Sequence, residues 1–247
     1  MKTIIKFTAV VIFILAIPGI QAGASTIDFD VDSYGNAILA GQRIDTEYLN
    51  WGVTIATKNN QRPFDWGIAF DSDNPTGGDG DLITGPGAYG FGNNPLKPSF
   101  KNVLIIAEDI DGSADGIVDD PDDEGLRAAG VITFGFQTSQ QGGRIIMLDI
   151  DDNCTDSEYP QGTDLRFFLN SVLVDTINVP VPALNADNSL QAFTFKDDIV
   201  FDELQVWMVG SGAIAEVTTN AVPIPGAVLL LGSGLLGISG IRRKFQS

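Results

Sequence analysis

The chain has 247 residues with no histidine and one cysteine, and 32 acidic against 14 basic side chains give a net charge of −18. The missing imidazole excludes Ser-His-Asp and Cys-His nucleophile systems and imidazole metal sites. The negative charge excludes nucleic acid and other acidic polymers as partners unless cations intervene, and a lone Cys154 excludes an intramolecular disulfide, so it reads as a partly buried small residue.

Lys2 and Lys6 precede an apolar core, Phe7 to Ile17, and Ala22-Gly23-Ala24 is a small-x-small cleavage site. Residues 1–24 therefore read as a secretory signal peptide with the mature chain starting near Ser25. The domain that follows, residues 25–221, is long enough to bury a full core without disulfide staples. Removing the terminal segments takes Lys2, Lys6, Arg242, Arg243 and Lys244 but no acidic residue, so the domain's net charge is −23.

Within the domain, Ser25 to Val31 alternates apolar and polar with period two and predicts a first strand. Tyr48 to Ala56 predicts a second, with Gly52 a candidate bulge, and Trp66 to Phe70 a short third. Asn102 to Ala107 is a continuous apolar run, the pattern of a strand buried on both faces. Gly130 to Phe136 and Arg144 to Ile150 predict two strands joined by a turn at Gly142-Gly143. Asp164 to Leu169 and Val172 to Ile177 flank Asn170-Ser171, the spacing of a two-residue β-hairpin. Leu190 to Phe195 and Phe201 to Val209 close the set. Roughly ten strands without an amphipathic helix predict an all-β antiparallel sandwich, with the hairpins favouring a jelly roll.

Three acidic loops interrupt the strands, at 71–94, 108–125 and 151–162. The sharpest pattern is Asp109-Ile-Asp111-Gly112 followed by Asp115-Gly116 and Asp119-Asp120. Alternating aspartates and glycines can turn several carboxylates onto one hard cation, as calcium requires. The EF-hand pattern is broken, since position six is Ala114 and position twelve Asp120. Asp109, Asp111, Asp115 and Asp119 are the candidate calcium ligands. Asp71, Asp73, Asp79 and Asp81 form a weaker version, as do Asp149, Asp151, Asp152 and Asp156. Two carboxylates can also hydrolyse a glycosidic bond, but no pair stands out among so many. Of Trp51, Trp66 and Trp207, Trp66 lies beside Asp65 and Gly67 near a loop and is the candidate sugar-stacking residue; Trp207 reads as core.

The C-terminal segment, residues 222–247, opens with Val222-Pro223-Ile224-Pro225 and continues as an apolar glycine- and leucine-rich run to Ile241. Counting Val222 to Pro225, the segment reaches the roughly 20 residues a membrane span needs. Arg242, Arg243 and Lys244 then act as a basic stop on the cytoplasmic side. This segment closely resembles the PEP-CTERM sorting signal of Gram-negative bacteria, with Ile224 in place of the motif's glutamate. The body also resembles proteins of that type in "IDFDVDSYGNAILAGQRIDTEYLNWGVTI", "AFDSDNPTGGDGDL", "NVLIIAEDIDGSADGIVDDPDDE" and "VGSGAIAEV", with Ala215 where the type more often carries aspartate. The resemblance implies an exosortase-like membrane protease as partner, cleavage near Val222, transient membrane anchoring, and release to the cell surface or extracellular matrix. It implies little about activity. The expectation is a non-catalytic exported β-sandwich, with a polysaccharide-binding module as the alternative and a glycoside hydrolase behind it.

Overall fold

Nine strands, all antiparallel, build one continuous sheet in the computed structural model, which describes residues 24–85, 98–150, 162–180 and 188–222. They are β1 (Ala24–Ile27), β2 (Val53–Asn59), β3 (Gly67–Asp71), β4 (Asn102–Ile106), β5 (Gly130–Leu148), β6 (Asp164–Leu169), β7 (Val172–Asn178), β8 (Leu190–Met208) and β9 (Ala213–Ala221). The chain divides into two compact units, and every described residue falls in one of them, Gly23–Val222. Ala22, Cys154, Pro223, Pro225, Arg242, Arg243 and Lys244 lie outside the described residues. Among the described residues no helix is long and apolar enough to cross a membrane.

The sheet order β3-β4-β9-β5-β8-β6-β7 is made possible by two strands of 19 residues each, β5 and β8. The first half of β5 pairs with β2 and with the end of β8; its second half pairs with the start of β8 and with β9. Each long strand thus serves two halves of the sheet. One apolar interior lies between the halves, since a single cluster contains Ile55, Phe134, Phe167 and Leu204 from one half and Leu104, Ile145, Met147 and Val217 from the other. At its centre the rings of Phe167, Phe195 and Phe201 meet edge to face at 5.0 to 6.0 Å. Such contacts add about 0.5–1.5 kcal/mol each to the burial of the rings.

The alternation of side chains along a strand explains a second apolar layer. In β4, Leu104 and Ile106 face the shared interior, while Val103 and Ile105 face a separate cluster with Ile68, Phe70, Leu148 and Ala213. The continuous apolar run at 102–107 is therefore buried on both faces, as its composition predicts. Leu82 and Val118, from the first and second acidic loops, belong to this outer cluster. The loops form a third layer over the sheet.

Three expectations need correction. The strands predicted at 130–136 and 144–150 are one strand, because Gly142 and Gly143 form a bulge and not a turn. A Cβ on Gly143, with its φ of +120°, would lie 2.1 Å from the Thr218 carbonyl oxygen, so only glycine lets β9 approach there. Likewise 190–195 and 201–209 belong to one β8, whose polar middle, residues 196–199, bulges out opposite Gly142 while Val200 and Phe201 stay paired with Gln141 and Gln140. Leu49–Trp51 is a 3₁₀ turn, so the strand predicted from Tyr48 begins at Val53. The Asn170-Ser171 hairpin is as predicted, both residues having positive φ of 51° and 64°, the signature of a type I′ turn.

Candidate functional site

The first two acidic loops meet on the outer layer. Leu82, fully buried, anchors the first loop through the 3₁₀ turn Gly80–Leu82, and Asp79 stands immediately before that turn. The second loop returns along β4 through a bridge between Ala107 and Asp123. Three contacts hold the loops together: Thr76 Oγ1 donates to the Pro121 carbonyl (2.9 Å), the Gly77 N–H to Asp120 Oδ1 (3.1 Å), and the Asp123 N–H to Asp79 Oδ2 (2.9 Å). Gly77 has a φ of +63°, and a Cβ there would lie 2.7 Å from the Pro121 carbonyl oxygen. The approach of the two loops depends on that glycine.

The result is a group of three carboxylates, Asp79, Asp122 and Asp123, each with an oxygen within 4.8 Å of the others'. Asp123 is 4% exposed, and its Oδ2 accepts the Gly212 N–H (2.6 Å) and the Ser211 hydroxyl (2.8 Å) from the turn before β9. Asp149, just past the end of β5 and 2% exposed, lies beside the group, its Oδ2 3.5 Å from the Ser211 hydroxyl.

Burial disfavours the charged forms. It pushes the Asp79 carboxyl up to about 8, reinforced by the charge of Asp123. It pushes Asp123 up to about 7, against the opposing hydrogen bonds from Gly212 and Ser211. Asp122 is also raised, by burial first, although its hydrogen bond with Asp79 works the other way. The hydrogen bond between the two side chains favours the protonated form of Asp79 and the charged form of Asp122. A divalent cation is the alternative way to relieve this repulsion. Carboxylate oxygens this close are a hard donor set of the kind calcium takes at 2.3–2.6 Å.

The structure draws the three carboxylates from the first and second loops. Asp79 comes from the weaker first set and Asp149 from the third, whose Asp151, Asp152 and Asp156 lie outside the described residues. Asp122 and Asp123 stand just past the stretch singled out in the sequence; counting twelve positions from Asp109 ends at Asp120 and passes them by. Asp109, Asp111, Asp115 and Asp119 do not gather into such a group. Asp109 Oδ1 accepts the Asp111 N–H (3.1 Å) and Asp115 Oδ1 the Ile117 N–H (3.1 Å), both local turns. Asp119 folds over Gly112, and Asp111, Asp115 and Asp119 are exposed. Asp71 likewise closes a turn onto Asp73 and Asn74.

Trp66 is not an open platform, because it packs against the outer cluster and carries the Arg43 guanidinium 5.3 Å from its ring centre. Trp207 is half-buried under Arg166 at 3.6 Å. Trp51 is the most open of the three at 42%. A groove of about 450 Å³ lies beside the first loop between Asp30, Val31, Asp71, Asp73, Lys101 and Asn102.

No family model matches the chain, and no curated protein matches it in sequence. Among solved structures, a fucose-binding module of Streptococcus pneumoniae is 13% identical over 38% of this chain and 66% of its own length, with a TM-score of 0.25. A family 32 carbohydrate-binding module of NanJ from C. perfringens, in complex with galactose, is 14% identical over 39% of this chain and 68% of its own, with a TM-score of 0.23. The Stig cyclase Fisc from Fischerella sp. TAU is 14% identical over 81% of this chain and 99% of its own, with a TM-score of 0.36. None of these likenesses bears on what this chain binds.

Proposed function

We propose that this protein is an exported, non-catalytic β-sandwich of jelly-roll type that serves at the cell surface or in the extracellular polysaccharide matrix, with its acidic loop layer closed by calcium. The observation that carries the reading is the gathering of Asp79, Asp122 and Asp123, with Asp149 beside them, on an outer layer that joins the first two acidic loops. Asp79 hydrogen-bonds to Asp122 and accepts the Asp123 N–H, and Asp123 accepts from the Gly212 N–H and the Ser211 hydroxyl. Calcium is abundant outside cells, and a cation there would tie the loops to β9 through the Ser211-Gly212 turn. When bound, it supplies charge neutralisation and cross-linking. The chain's own residues supply the hard oxygen donors and the apolar staples Leu82 and Val118 beneath them.

Export rests on the residues at the two ends: the Ala22-Gly23-Ala24 site, the Val222-Pro223-Ile224-Pro225 motif and the Arg242-Arg243-Lys244 stop. In this reading a membrane sorting protease of exosortase type cuts near Val222, and the apolar segment anchors the protein until then. Cell fractionation with mass spectrometry of both ends tests it. The expected product starts near Ser25 and ends near Val222 outside the cytoplasm. An uncleaved cytoplasmic chain overturns it.

A further inference from the structure

The nine exposed large apolar side chains among the described residues are not scattered evenly: Val31, Tyr34, Leu39, Leu49 and Trp51 all belong to the lobe between β1 and β2. Two of them are aromatic, and each is presented by a rigidly built turn. Tyr34 is 77% exposed at the tip of a turn in which Asp32 Oδ1 accepts the N–H groups of Tyr34 and Asn36 at 2.8 Å each, and Asp32 Oδ2 the Asn36 side-chain amide. Trp51 caps an aromatic stack that rises from the core. Phe29 meets Tyr48 edge to face at 6.3 Å, and Tyr48, itself buried, meets Trp51 at 5.5 Å. The Tyr48 hydroxyl accepts the Phe29 N–H (3.1 Å), and the Tyr48 carbonyl accepts the N–H groups of Trp51 and Val53. The two turns adjoin: the Ser33 N–H donates to the Glu47 carbonyl (2.8 Å), and the Asn50 side-chain amide to the Ser33 carbonyl (3.4 Å).

Aromatic rings held rigid and half in solvent are binding anchors, since little conformational freedom remains to be lost when a partner covers them. The surroundings select the partner. Asp28, Asp30, Asp32, Asp45 and Glu47 make the lobe acidic, and its one arginine, Arg43, is ion-paired to Asp45. That charge repels acidic polymers, anionic lipid surfaces and a second copy of the same lobe. A neutral sugar chain fits: the C–H face of a pyranose covers an aromatic ring, while its hydroxyls reach short polar side chains such as Asn36 and Asn50. The groove lined by Val31 and Ala37 flanks the Tyr34 turn and offers room for a continuing chain.

We infer that Tyr34 and Trp51 form a binding site for neutral polysaccharide. This rests on the placement of the protein in a polysaccharide matrix. The test is affinity electrophoresis of the full chain in mild detergent, through gels containing dextran, laminarin, galactomannan or, as the acidic probe, alginate. At least one neutral polymer is expected to retard the wild-type chain, and alginate is not. Tyr34→Ala and Trp51→Ala are expected to weaken that retardation about tenfold or more, as truncating an anchor does, while Trp66→Ala leaves it unchanged. Tyr34 has no packing role, so Tyr34→Ala keeps the test open if Trp51→Ala destabilises the domain. Retardation equal in wild type and Tyr34→Ala overturns the site and leaves the matrix reading standing. No retardation by any neutral polymer overturns both. Self-association abolished by Tyr34→Ala also overturns the inference, assigning the patch to a second copy.

Discussion

Asp123 concentrates the energetics of the acidic layer. Its folded-state carboxyl sits near 7, above the ordinary value of 3.8, because burial disfavours its charge. In chelator, then, the folded protein holds more protons than the unfolded chain between about pH 4 and pH 7, and stability falls as pH rises through that window. The full effect of such a shift is of order 4 kcal/mol. Asp79, raised to about 8, adds a decline of the same sign that continues toward pH 8. Asp123→Asn is expected to reduce the decline, because the amide keeps an acceptor for Gly212 without a charge to bury. Calcium opposes the decline by replacing the proton. Urea titrations in chelator from pH 5 to 8 measure this, and a stability that rises over that range contradicts the assignment. Glu124 is the contrasting case. Its side chain is fully buried, but Arg62 Nε meets it at 2.9 Å while the other end of the guanidinium meets Glu108. Arg62→Ala removes the guanidinium from that buried carboxylate, which keeps the Asn59 amide and the Leu126 N–H, and is expected to cost about 3 kcal/mol by urea unfolding.

At the scale of elements, the β6–β7 hairpin offers the cleanest prediction. Ser171 holds a φ of 64°, where a side chain is strained and glycine is not. Ser171→Gly makes the favoured Asn-Gly type I′ pair and should stabilise the domain by about 0.5 kcal/mol, read from the shift in urea midpoint. The hairpin was legible because its signal is local: two β-rich runs with two turn residues between them. β4 was legible because double-sided burial leaves a run of apolar residues. The fusion of predicted strands into β5 and β8 was not, because polar and glycine residues at 137–143 look like a turn unless the partner strand is known. β9 was overlooked for a similar reason. Ala213 to Ala221 alternates only partly, since Ala213, Ile214 and Ala215 face two different cores and are all buried. The candidate site was legible as acidic loops but not as a specific set, because Asp79 and Asp123 lie 44 residues apart and meet only through the bridge beside β4.

At the scale of the molecule, β1 runs antiparallel to β9 with Ala24 opposite Asn220, so the two ends of the domain lie side by side. Joining residues 24 and 221 by a short glycine-containing turn and opening the chain at Asn170-Ser171 should give a circular permutant with the same fold, checked by circular dichroism and cooperative unfolding. The domain's charge of −23 works against compaction at every distance, and the meeting of the first two acidic loops concentrates it. Calcium bound only to the folded form would offset this by about 2.7 kcal/mol at a hundredfold excess over its dissociation constant, a rise of roughly 5–10 °C in Tm for a domain of this size. The decisive measurement is the thermal melt at pH 7.5 in millimolar calcium and in chelator, for three proteins. The wild type and Asp111→Asn/Asp115→Asn are predicted to melt higher in calcium, while Asp122→Asn/Asp123→Asn is predicted to show no calcium response. Equal melting temperatures of the wild type in calcium and in chelator would contradict a calcium-closed acidic layer.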